Sequence, residues 1–159
     1  MYKRQISATS SIIDNGYIAI KVFGRINLIT NSGTIRASRY AVGIISGGTL
    51  TSLINTGRIS SSGFTIDNSG TLNTITNSGT ISSGSFSAIF NRNGNIETIT
   101  NTSDGEITGG SDTITNLAGL TITSLINQGD IDASTDAAIL NNGTISVSYT
   151  HLRAHETRH

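Results

Sequence analysis

The 159-residue chain has no cysteine, no proline and no tryptophan, and only 13% of it is charged and 5% aromatic. Each absence closes a route. Without cysteine there is no disulfide, no thiolate metal ligand and no thiol nucleophile. No stretch approaches the roughly 18 consecutive apolar residues of a membrane-spanning helix, and the first residues lack the charged-then-apolar pattern of an export signal. The formal net charge is zero and the basic residues look scattered, so no nucleic-acid partner is expected. Histidine is missing from residues 6–146; His151, His155 and His159 all fall in the last segment. Their i, i+4, i+8 spacing would put them on one face of a helix as metal ligands. Residues 1–5 and 147–159, however, break the pattern of the rest and resemble translated sequencing-adapter read-through. Both ends are therefore set aside as non-native tails, and residues 6–146 are taken as one repeat array. With no histidine in that array a Ser-His-Asp triad cannot be assembled, and neither cofactor nor metal is expected.

What the chain has in abundance is Ile, Thr, Ser, Asn and 18 glycines, a composition of strands and turns. The residues are arranged as a degenerate unit, apolar-x-Asn-x-Gly-x-apolar. A first series runs Ile29/Asn31/Gly33/Ile35, Leu53/Asn55/Gly57/Ile59, Ile75/Asn77/Gly79/Ile81, Ile99/Asn101/Gly105/Ile107 and Leu125/Asn127/Gly129/Ile131. A second interleaves as Ile44/Ser46/Gly48/Leu50, Ile66/Asn68/Gly70/Leu72, Ile89/Asn91/Gly94/Ile96, Ile114/Asn116/Gly119/Ile122 and Ile139/Asn141/Gly143/Ile145. Ile20 to Ile26 fits the second template with Val22 in the Asn place. Second-series units start every 22 to 25 residues and end three residues before the next first-series unit.

A period of this length points to a solenoid. Propeller blades need about 40 residues, and the Leu-rich repeat pattern is absent. The remaining architecture is all-β, a parallel β-helix of five to six coils, each turning four aliphatic positions inward. Stacked at about 4.8 Å, those positions form continuous ladders. Asn31, Asn55, Asn77, Asn101 and Asn127, and separately Asn68, Asn91, Asn116 and Asn141, are predicted to stack as hydrogen-bonded amide ladders at two corners. Tolerance of left-handed backbone is expected to explain the Asn and Gly there.

The variable bridges Arg36–Gly43, Ser60–Thr65, Ser82–Ala88, Thr108–Thr113 and Asp132–Ala138 are the expected contact surface, with Val42, Phe64 and Ala137 adding a partial inner row. Glu106 and Asp130 occupy equivalent places in adjacent coils, with Asp132 and Asp104 near. This is an acidic patch that could serve as a cation site or a hydrolytic pair, but its simplest reading is a solvated surface. Arg36 and Arg39 share a bridge with Tyr40 and could meet an acidic glycan; as exposed charges they could equally serve solubility alone.

The run Ile75-Thr76-Asn77-Ser78-Gly79-Thr80-Ile81-Ser82, followed by Ala88-Ile89-Phe90-Asn91, resembles the passenger region of bacterial autotransporters over residues 18–146. The resemblance implies a right-handed β-helix outside a Gram-negative cell, tied to the outer membrane only through a C-terminal barrel that these residues do not include. It implies a structural stalk or adhesin-like segment without catalysis. Its partners would be host-surface or matrix glycans or proteins met by the bridges. The alternative is a polysaccharide-binding or polysaccharide-degrading β-helix.

Overall fold

The structure, a computed structural model, describes residues 4–14 and 16–150, with side chains to Ser146. It is an all-β solenoid of about six turns built from three parallel sheets. Strands are numbered in chain order. The first sheet stacks β1 (Gln5–Ala8), β4 (Arg25–Asn31), β7 (Thr49–Asn55), β10 (Thr71–Asn77), β13 (Asn95–Asn101), β16 (Thr121–Asn127) and β19 (Thr144–Thr150). The second stacks β2 (Ser11–Asp14), β5 (Thr34–Ala37), β8 (Arg58–Ser61), β11 (Thr80–Ser83), β14 (Glu106–Gly109) and β17 (Asp130–Ala133). The third stacks β3 (Ile18–Val22), β6 (Tyr40–Ile44), β9 (Ile66–Asn68), β12 (Ile89–Asn91), β15 (Ile114–Asn116) and β18 (Ile139–Asn141).

Alternation along each strand sorts the side chains. In Thr74-Ile75-Thr76-Asn77 the Ile and Asn are buried while the threonines between them are half-exposed, the period-2 pattern of a strand with one wet face. Parallel sheets are usually covered on both faces, and here the outer face stays soluble because Thr and Ser occupy it. Four aliphatic ladders result. In the first sheet Ile26, Leu50, Leu72, Ile96, Ile122 and Ile145 align, as do Ile6, Ile29, Leu53, Ile75, Ile99 and Leu125. Ile12, Ile35, Ile59, Ile81, Ile107 and Ile131 form the third ladder. Ile20, Val42, Ile66, Ile89, Ile114 and Ile139 form the fourth. From Ile29 to Leu125 the members are buried, at 0% exposure. Each contributes about 1.5–3 kcal/mol by leaving water.

The fourth ladder corrects the sequence reading of one coil. Val42, not Ile44, lies opposite Ile66, and Ile44 lies opposite Asn68. The reason is the turn that follows. Asn68 is separated from β10 by two residues, whereas Ile44 is separated from β7 by four, Ile45 to Gly48. Ser46 mimics the Asn place only if that longer turn is ignored. The first two coil spacings thus become 22 residues (Ile20 to Val42) and 24 (Val42 to Ile66).

The expected inner row of Val42, Phe64 and Ala137 is also corrected. Val42 belongs to the ladder itself, Ala137 is exposed, and Phe64 is only partly covered. The buried row lies one residue before each ladder position, at Ala41, Thr65, Ala88 and Thr113. Its threonines are fastened by their hydroxyls. Thr65 Oγ1 donates to the Ser82 carbonyl at 2.6 Å, and Thr113 Oγ1 donates to that of Asp132. Buried hydroxyls need such partners, which is why Thr and not a larger apolar residue fills the place.

Within the segment set aside as a C-terminal tail, β19 continues to Thr150 and pairs with β16, placing Ser148 opposite Leu125. The aliphatic ladder therefore stops at that rung. The three histidines lie outside the described residues.

Candidate binding surface

Both Asn ladders form as the spacing predicts. In the first, each Nδ2 donates to the next Oδ1: Asn31 to Asn55 (2.7 Å), Asn55 to Asn77 (2.8 Å), Asn77 to Asn101 (2.9 Å) and Asn101 to Asn127 (2.9 Å). In the second, Asn68 donates to Asn91 (2.9 Å), Asn91 to Asn116 (2.8 Å) and Asn116 to Asn141 (2.9 Å). These amides are committed to the interior and have nothing to offer a ligand.

The corner glycines have a different cause from the one expected. Among the described residues no non-glycine has positive φ, and only Gly47 (80°) and Gly119 (78°) do so among glycines. Those two sit at the third place of the four-residue turns Ile45–Gly48 and Leu117–Leu120. At the short corners the constraint is stacking. A Cβ on Gly57 would run into the Gly33 carbonyl oxygen, and one on Gly79 into that of Gly57. Coils one rung apart cannot close together over a side chain there.

Function must then reside on the outside, and two features stand out. The first is the outer face of the second sheet. Register aligns Thr34, Arg58, Thr80, Glu106 and Asp130 in one column, and Arg36, Ser60, Ser82, Thr108 and Asp132 in the next. The acidic patch is real as a register neighbourhood: Glu106 faces Asp130, and Asp132 follows two residues on. Among the described residues, no group of three His, Cys, Asp or Glu side chains is placed to hold a metal ion. At the opposite end of the same face, Thr34, Arg36, Arg58, Ser60, Ser62 and Ser82 line an open groove of about 460 Å³, with Gly84 at its edge. Most of its lining belongs to the predicted bridges. One nitrogen of the Arg58 guanidinium donates to Ser82 Oγ at 3.2 Å.

The charges are not scattered, as the sequence first suggested, but segregated along the axis. Arg4, Lys21, Arg25, Arg36, Arg39 and Arg58 precede residue 59 with Asp14 as the single acid among the described residues there. From Glu97 to Ser146 the charges are Glu97, Asp104, Glu106, Asp112, Asp130, Asp132 and Asp136, without one Lys or Arg.

The second feature is an aromatic strip at the corner between the second and third sheets. Phe64 stacks on Phe86 and Phe90 with centroids 4.8 and 4.5 Å apart, and on Tyr40 at 6.3 Å. Tyr17 meets Tyr40 edge-on at 5.4 Å. Arg39 lies over Tyr17 and Tyr40, and Arg92 over Phe64 and Phe90. The Phe64–Phe86 distance matches the rung spacing of about 4.8 Å, since the two rings occupy the same corner in successive coils. The strip escaped sequence reasoning because its members are irregularly spaced and only the register unites them. Arg39 had been singled out with Tyr40, and here it stacks on that ring rather than standing alone.

Beneath the strip, Arg92 Nε donates to Asp67 Oδ1 at 2.9 Å and the guanidinium reaches the Tyr40 hydroxyl at 3.4 Å. Burial pushes the Asp67 carboxyl above its ordinary value, and the hydrogen bond and charge of Arg92 undo only part of that. Desolvation lowers the pKa of Arg92, yet Asp67 and Tyr40 together hold it above its usual value. The two shifts disagree on whether the pair gains from being ionised. The short contact to a group that keeps its proton at any ordinary pH favours an ion pair at neutrality.

No protein-family model, no curated protein and no solved structure matches this chain.

Proposed function

We propose that the chain is a structural stalk or adhesin-like segment of a surface-displayed passenger of the autotransporter kind, without catalysis. The supporting observation is the division of labour in the solenoid. Interior ladders repeat with little change, while variation in length and chemistry is confined to the turns and bridges. A stalk needs an axis that can be lengthened by adding coils, since each coil bonds only to its neighbours. Adhesion needs variable surface on that axis. Catalysis would need convergent groups in a sheltered cleft, and the carboxylates of the acid face stand on an open sheet.

Extending the gene sequence on both sides tests the reading. It predicts an upstream export signal and a downstream series of about ten-residue alternating strands forming a barrel. An upstream signal followed by a stop without a barrel would overturn the autotransporter version.

A further inference from the structure

We propose that the Arg36–Arg58 groove binds the oxyanions of an acidic polysaccharide. The inference deepens the adhesive reading and rests on it only for where such a ligand would be met.

Arg36 and Arg58 stand exposed on adjacent strands, β5 and β8, in different columns of one face. Neither has a carboxylate within ion-pair distance; among the described residues the ion pair is Arg92–Asp67. The rest of the lining is hydroxyl-bearing Thr34, Ser60, Ser62 and Ser82, with no acid. Guanidinium forks match carboxylate and sulfate ester alike, and they bind either better than a point charge does. Since Ser82 holds one arm of Arg58, part of the cost of ordering that side chain is already met. Serine and threonine hydroxyls suit a ligand that is itself rich in hydroxyls. Two residues beyond Gly84, Phe86 is 50% exposed and supplies an apolar flank for the C–H face of a sugar ring. The axial charge segregation adds direction, drawing a polyanion to the basic half and repelling it from Glu106, Asp130 and Asp132.

A second copy of the chain could also answer this face. Turned end for end, it would set Glu106 against Arg58 and Asp132 against Arg36. Area argues against it. Six strands of four residues give a face of about 29 by 13 Å, or about 380 Å², against about 800 Å² per partner in a stable interface.

The test uses the full chain in calorimetric titrations with polygalacturonate, dextran sulfate and neutral dextran. The proposal expects binding to at least one anionic polymer, weakening as salt rises, and none to neutral dextran. Polygalacturonate binding assigns the carboxylate, and binding to dextran sulfate alone assigns the sulfate ester. Arg36→Gln with Arg58→Gln should weaken binding at least tenfold. Lys21→Gln with Arg25→Gln removes the same charge from the third and first sheets and should change it less than threefold. All four side chains lie on the outside of strands, and circular dichroism verifies that the fold is kept. No binding to either polyanion would overturn the proposal and leave the stalk reading standing. Equal losses in the two double variants would reduce the effect to unspecific ion exchange and overturn it too. So would sedimentation showing a dimer, broken by Arg58→Glu and restored by adding Glu106→Arg, in a chain that ignores the polymers.

Discussion

At the first corner of the solenoid, Asn77 Nδ2 donates to Asn101 Oδ1, to the Gly79 carbonyl and to the Glu106 carbonyl. At the second corner, Asn91 donates to Asn116 Oδ1 alone. The residues are the same and the ladders are built alike; the turns differ. The first corner keeps a two-residue turn in most coils, so each amide reaches the carbonyls beyond it. Around Asn91 the turn has three residues, Arg92 to Gly94, and no such reach occurs. The ends of the ladders differ as well. Ala8 stands opposite Asn31, whose buried Oδ1 has no partner. Ile44 stands opposite Asn68, yet that Oδ1 accepts the Gly70 N–H at 3.3 Å. A stacked amide is worth as much as the turn around it allows.

The widest separation is expected in mid-ladder. Asn77→Ala orphans Asn101 Oδ1 and two carbonyls and should cost about 3 kcal/mol, from about 1–3 kcal/mol for each buried group left unpaired. Asn91→Ala should cost about 1–2 kcal/mol on the same basis. Urea midpoints followed by circular dichroism would rank them, and equal losses would dissolve the contrast. The ladder ends should respond with opposite signs. Ile44→Asn exchanges a buried aliphatic for an amide whose neighbour is already satisfied, and should destabilise by about 1–2 kcal/mol. Ala8→Asn gives Asn31 Oδ1 its missing donor and should stabilise by about 1 kcal/mol. A thermal-melt pair in which both variants fall, or both rise, would contradict this account of the ends.

The smallest effect concerns Asp67. Asp67→Asn should change stability at neutral pH by less than about 1 kcal/mol, because Arg92 is partly solvated. The sign with pH is informative. Folding raises this carboxyl's pKa, so the folded state binds its proton more tightly. The ionised group therefore costs stability above that pKa, and acidification relieves the cost. The unmodified chain should thus gain on Asp67→Asn as pH falls through the titration. The reverse slope would mean that the Arg92 contact outweighs burial.

Much of this was legible in the sequence because a solenoid writes its register into the chain. Ile29, Leu53, Ile75, Ile99 and Leu125 recur at one offset from their Asn, so ladder and corner emerge together. Where turn length changed, the reading slipped: Gly48 and Leu50 kept the motif's ending, and Ile44 was placed two residues away from its true rung. The Gly47-Gly48 doublet was the signal, since a second glycine marks an added turn residue in positive φ. The short-corner glycines were located correctly but explained by the wrong physics, because backbone handedness and contact between coils both select glycine. Arg36 and Arg39 were noticed together, but Arg58 was not joined to Arg36, as they lie 22 residues apart and meet only through pairing of β5 with β8. The aromatic strip has no periodicity at all.

The ladders themselves can be addressed directly by following side-chain amide hydrogen exchange by NMR in protein labelled at asparagine. Protected Nδ2 protons are expected at Asn55, Asn77, Asn101 and Asn116, weaker protection at Asn91, and fast exchange at the exposed Asn93 and Asn142. Exchange of Asn77 as fast as that of Asn93 would contradict the stacked amide ladder on which this description of the solenoid rests.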